Sequence, residues 1–276
     1  MRHVLCAIIG IGCVAAAPGQ LIYPIVQDRH LEASVYGYLD WPGDPNEQTG
    51  YAWADATDME PWVESVEAMV GLDPYYAVTD GAGQYSEVDD GSLVAYGLAE
   101  HEVLIDSYLT ESQGLTESRY RVQFAVPETI RFQISGSIAA SADVVGEVSF
   151  GDWWLLTSVS VTLDQIAGPV VYSEQVYAEV ITYQPEKPVV DWRTVADAGE
   201  LTPGVYELEI VATVDSPTVM GGMLMPTTFI GETSYVVEVQ FLPAQPGPGS
   251  VPVQVAPERG FRGSGAAEHR NEIPSP

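Results

Sequence analysis

Residues 118–126 constrain the fold more than any other stretch of this chain. Tyr120, Val122, Phe124 and Val126 take every second position, with Arg121 and Gln123 between them. Side chains of an extended strand alternate between faces, so this spacing gives one face to a core and the other to water. After the turn at Pro127-Glu128 the pattern resumes, with Ile130, Phe132 and Ile134 alternating with Arg131, Gln133 and Ser135. Val144–Phe150 and Leu155–Leu163 continue it, and in the latter Val159, Val161 and Leu163 share the inward face. Tyr177–Tyr183 reads as a further strand. Two last runs, Tyr206–Ala212 behind the tight turn Pro203-Gly204 and Tyr235–Phe241, complete the series. Closely spaced strands with turn residues between them predict an all-β fold, an antiparallel β-sandwich of jelly-roll-like type.

The first third alternates less cleanly. Leu31–Leu39, Ser92–Gly97 and Val103–Leu109 read as strands, Asp89-Asp90-Gly91 as a turn, and Asp40–Asp58 as a polar loop carrying glycine and proline. Trp62, Val63, Val66, Met69 and Val70 fit one face of a short helix near residues 59–70, capped by Asp58 ahead of Pro61. The same residues also fit a strand, and the spacing leaves both open. Adjacent Trp153 and Trp154 must point to opposite faces of their strand, so one of them is expected to leave the core.

The two ends carry different signals. Met1-Arg2-His3, the apolar run Val4–Ala17 and the small residues before Gly19 read as a signal peptide over residues 1–19, cleaved to leave Gln20 first. Its apolar run is short for a bilayer span, so no stable transmembrane segment is expected after cleavage. Both cysteines, Cys6 and Cys13, leave with it, and the mature chain then has neither disulfide nor thiolate chemistry. Residues 20–242 form the expected β-sandwich domain, long enough to bury a core of its own. From residue 243 the chain turns rich in proline and glycine without apolar periodicity, and 243–276 reads as a disordered tail.

Charge sets the expected partners. With 39 acidic and 10 basic residues the formal net charge is −29. Such a surface repels nucleic acid and anionic membranes and favours divalent cations. The expected setting is secreted, extracellular or at the outer cell surface, with extracellular polysaccharide or other surface proteins as partners.

Catalytic motifs are nearly absent. His101-Glu102 opens like a zinc-protease helix, but Ile105 stands where a second histidine is needed, so His101 reads as a lone surface histidine. No Gly-x-Ser-x-Gly elbow or phosphate-cradling loop is present, and no enzymatic activity is expected. Hard oxygen ligands concentrate in two early segments, with Asp40, Asp44 and Asn46 in one and Asp55, Asp58 and Glu60 in the other; calcium is the candidate ion. Trp41, Trp53 and Trp62 fall in the same region, along with Tyr51, and aromatic faces of this kind stack on sugar rings.

Several stretches together resemble exosortase-sorted, PEP-CTERM-type secreted bacterial β-sandwich proteins. They are Gln84-Tyr-Ser-Glu-Val88, Leu93-Val-Ala-Tyr-Gly97, Ser118–Phe124, Phe132-Gln-Ile-Ser-Gly136 and Leu201-Thr-Pro-Gly-Val-Tyr-Glu-Leu208, with a last strand closing at Leu242-Pro243. The resemblance spans residues 84–243 and implies exterior localisation and a sandwich fold. The chain departs from that family after Pro243, where the usual apolar anchor helix is missing. The leading expectation is therefore an exported acidic sandwich with a structural or adhesive role at the cell exterior. A carbohydrate-binding module, stabilised by calcium, is the alternative.

Overall fold

The structure, a computed structural model, describes residues 20–39, 46–72, 76–105, 111–146, 153–181, 188–216 and 227–244, and every regular element among them is a strand. The first sheet contains β1 (Tyr23–Leu39), β2 (Asn46–Ala56), β6 (Glu111–Val126), β8 (Trp154–Gln165), β9 (Val170–Ile181) and β11 (Gly204–Ser216). The second contains β3 (Trp62–Leu72), β4 (Tyr76–Val88), β5 (Ser92–Ile105), β7 (Ile130–Val145), β10 (Val189–Leu201) and β12 (Thr227–Pro243). Their orders are β2-β1-β6-β11-β8-β9 and β10-β7-β12-β5-β4-β3, with every pairing antiparallel. The sheets pack face to face: β2 lies against β3, β1 against β4, β6 against β5, β11 against β12 and β8 against β7, while β9 meets both β7 and β10. Among these strands only β1–β2, β3–β4, β4–β5 and β8–β9 are hairpins within a sheet. Every other connection crosses between sheets, which gives the sandwich its jelly-roll-like character.

The alternation seen in the sequence is the alternation of burial. Tyr120, Val122, Phe124 and Val126 of β6 are buried, as are Tyr206, Leu208, Ile210 and Ala212 of β11 and Tyr235, Val237, Val239 and Phe241 of β12. Phe124 binds the sheets together, its ring centroid 5.9 Å from Tyr206 beside it and 5.2 Å from Phe241 across the core. The Tyr206 hydroxyl donates to the Thr202 carbonyl at 2.9 Å, so the aromatic that fills the core also holds the β10–β11 turn. Trp153 is buried edge-on to Phe229 at 5.2 Å, and its neighbour Trp154 is 37% exposed. The pair divides between core and solvent as two successive strand positions require.

Three expectations change. The helix considered near residues 59–70 does not form: Asp58–Glu60 make a bend and Trp62–Leu72 is the edge strand β3. The second half of the expected Asp40–Asp58 loop is β2, whose Ala, Gly, Thr and Gln positions carry no apolar alternation, so pattern alone does not show it; the strand is held by its register with β1. His101 is buried, not superficial, and its Nδ1 is paired with the carboxylate of Asp80, also buried. The signal peptide, both cysteines, residues 106–109, 147–150 and 182–183 of the expected strands, and residues 245–276 of the tail lie outside the described residues.

Arg29 governs the corner where the chain leaves the first sheet for the second. It sits on the inward face of β1 with no exposed surface. Its guanidinium donates to the Glu60 carbonyl at 2.7 Å, and to the Asp58 carbonyl and carboxylate at 2.7 and 2.5 Å. It also lies over the Trp62 ring, 5.4 Å from the centroid. A buried cation must find oxygens to replace water, and here it draws the β2–β3 turn down onto β1.

Candidate functional site

The outer face of the first sheet holds a groove of about 550 Å³ across β2, β1, β6 and β11. Strand register builds it. Tyr51, Ser34, Leu115 and Asp215 stand directly opposite one another along one row, and Thr49, Tyr36 and Gln113 along the next. On the inner side, Gly50 lets β2 settle against the backbone of Met69 in β3, a place where any side chain would collide. The outer side keeps the larger groups.

Tyr51 and Trp53 are two positions apart on β2, so they share the outer face. They are 60% and 58% exposed, large flat surfaces side by side along an edge strand. Lining the groove beside them are hydroxyls of Ser34, Thr49 and Tyr36, the Gln113 amide and the Asp215 carboxylate, and no basic side chain. Desolvation raises the Asp215 carboxyl above the usual carboxylate range, opposed in part by His101 behind it. Desolvation also raises the Tyr36 phenol, assisted by the negative field of Glu47 and Glu111. These shifts mark a partly dehydrated, electronegative pocket, the environment in which binding residues concentrate.

Next to Trp53 on the same face, His30 lies between two carboxylates. Its Nδ1 is 2.5 Å from Asp55 and its Nε2 is 3.3 Å from Glu32. Burial depresses its pKa, but the bonds to Asp55 and Glu32 outweigh that and leave it raised. Farther along the sheet, Arg121 donates to Glu207 through Nε at 2.8 Å and through a terminal nitrogen at 2.6 Å, and Gln123 donates to the same oxygen at 2.7 Å.

The candidate calcium ligands are not brought together. Asn46 opens β2 and accepts from Gln48 at 2.9 Å. Asp55 faces His30, Asp58 faces Arg29, and Glu60 gives its carbonyl to the same arginine. At the bend where a metal was expected, a guanidinium supplies the positive charge. Among the described residues no group of three or more His, Cys, Asp or Glu side chains is placed to hold a metal ion. Of the three candidate tryptophans, Trp53 borders the groove and Trp62 lies beneath Arg29. Asp40, Trp41 and Asp44 lie outside the described residues.

Asp215, Gln113 and Tyr36 are not singled out by sequence reasoning. They come from three strands, and only the pairing of β11, β6 and β1 assembles them. Tyr51 beside Trp53 could have been found, because their spacing places both rings on one face once β2 is taken as a strand.

No protein-family model matches the chain, and no curated protein matches it. Among solved structures it is similar to a chain of the infectious bursal disease virus Gx strain, at 12% identity and a TM-score of 0.17, covering 81% of this chain and 66% of that one. The Gt strain gives 11% identity, a TM-score of 0.20 and coverage of 82% and 67%. The VP2 subviral particle of the same virus gives 12%, 0.19, 82% and 66%. The chain thus spans about two thirds of the viral chains it matches, and TM-scores this low carry no argument about what it does.

Proposed function

We propose that this chain is an exported, non-catalytic β-sandwich that serves as an adhesive component of the cell exterior by holding a neutral polysaccharide along the β2 groove. The observation that carries this reading is the exposed pair Tyr51 and Trp53 on one face of an edge strand, bordering a groove lined with hydroxyl, amide and carboxylate groups. Aromatic faces cover the apolar faces of pyranose rings, while a few convergent polar groups fix orientation. Asp215 in the groove, with Glu47 and Glu111 near Tyr36, disfavours uronates and sulfated sugars. Export is supported by the leader pattern of residues 1–19 and by a surface with 39 acids.

The test is retardation of the native chain in gels cast with a panel of polysaccharides. Slowed migration in at least one neutral glucan, mannan or galactan, with free passage through pectate or alginate, is the expected result. Migration unaffected by every polysaccharide would remove the glycan reading and leave only a structural role.

A further inference from the structure

The outer face of the second sheet differs from the rest of this acidic surface. Its β7–β10 half presents Ser135, Ser137, Ala139 and Ser141 beside Val190, Trp192, Thr194 and Ala196, without a charge among them. Two neutral rows continue from there across the whole sheet. One runs from Trp192 through Ala139, Ser234 and Leu98 to Gly83 and Ser65. The other runs from Thr194 through Ser137, Val236 and Tyr96 to Tyr85 and Val63, with the Tyr85 and Tyr96 rings stacked at 5.6 Å.

This neutral face has a projection and a recess. Trp192 is 61% exposed on the edge strand β10. At the other side of the same row, Gly81 and Gly83 floor a groove of about 600 Å³ walled by Leu98, Ser65 and Glu67. Four strand spacings separate Trp192 from Gly83, roughly 19 Å. Ser234 on β12 lies midway.

We infer that two copies of this chain associate face to face through the second sheet about a two-fold axis near Ser234, with Trp192 of each copy seated in the Gly81–Gly83 groove of the other. A two-fold contact is closed and self-complementary, so one knob and one recess at equal distances from the axis suffice. The charges agree with this placement. Glu100 and Glu232 stand directly opposite each other on β5 and β12, and the axis sets them against Ser137 and Val236 of the second copy instead of against further acids. Elsewhere two copies each carrying 39 acidic residues repel on approach. The patch involves close to twenty residues a side, the number that a standard stable interface needs, and its small side chains permit the roughly 10 Å sheet separation of a packed sandwich.

Sedimentation velocity of the purified chain over a concentration series tests this, at low salt and at roughly 0.5 M salt, where the Debye length falls to a few ångströms. A monomer–dimer equilibrium strengthened by salt is expected. Trp192→Ala and Ser234→Glu each weaken it by about thirtyfold or more, as expected for a central anchor, while Trp53→Ala on the opposite sheet leaves it unchanged. Both mutated positions are exposed, and an unaltered melting temperature confirms that the variants fold. A chain that stays monomeric at both salt concentrations, a dimer indifferent to both substitutions, or an open series of larger species would each overturn the inference.

Discussion

The guanidinium of Arg29, wholly buried, is bonded to both the backbone carbonyl and the side-chain carboxylate of Asp58, an acid whose own side chain is mostly in solvent. The relationship is asymmetric. Arg29 needs the turn more than Asp58 needs Arg29. Arg29→Met removes three charge-assisted bonds and the contact with Trp62, and is expected to cost about 2–4 kcal/mol. Asp58→Asn keeps both carbonyls as acceptors and is expected to cost about 1 kcal/mol or less. Urea unfolding of the two variants measures the difference, and equal costs would mean that the carboxylate, not the turn backbone, holds the arginine.

Gly136 on β7 has a positive φ of 150°, and a Cβ there would collide with the Val236 carbonyl oxygen of β12. Gly136→Ala is therefore expected to destabilise by about 3 kcal/mol or more, through strain and a displaced ladder. A loss below about 1 kcal/mol in the same unfolding experiment would contradict that close approach.

The buried Asp80–His101 pair lies against the backbone of Gly114, where any side chain would strike the imidazole. Removing one member leaves the other without its partner in the interior. Asp80→Leu and His101→Leu are each expected to cost about 3–5 kcal/mol, and the double variant much less than their sum. A double-mutant cycle measures the coupling; additive costs would show that the pair does not act as a unit.

His30 gives a pH dependence with a definite sign. Its folded pKa is raised, with burial outweighed by the bonds to Asp55 and Glu32. A raised pKa means that the folded state binds the proton more tightly, so this contribution is full below the ordinary histidine value near 6.5 and is lost as pH rises through the folded value. Glu207 acts in the opposite range. Burial would raise its pKa, but the bonds from Arg121 and Gln123 lower it, so its contribution holds above the ordinary glutamate value and is lost as pH falls through the folded value. Melting curves of His30→Gln and Glu207→Gln against the native chain are expected to diverge at the acid-to-neutral and neutral-to-acid ends of those windows respectively. Parallel curves for either variant would deny that group its part.

The sandwich was legible wherever one face of a strand is wholly apolar, as in β6, β11 and β12. β2, β3 and β10 were less so, because each is an edge strand that buries few of its side chains and so lacks a strict alternation. The candidate site was legible only in its aromatic part. Trp53 was recognisable as a residue for which exposure would be informative, whereas Asp58 and Glu60 looked like metal ligands because nothing local shows that Arg29, about thirty positions earlier, takes their oxygens. Long-range register assembles the polar half of the groove, and short-range patterns do not encode it.

The proposed binding face of the chain is the pair Tyr51 and Trp53. Isothermal titration of a soluble oligosaccharide, drawn from whichever neutral polysaccharide retards the native chain, tests this most directly when repeated on Tyr51→Ala, Trp53→Ala and the double variant. Each single change is expected to weaken affinity by about tenfold or more, and the double change to abolish measurable binding, with the melting temperature unaltered. Native affinity in the double variant would contradict this, because the glycan would then be held somewhere other than the β2 groove.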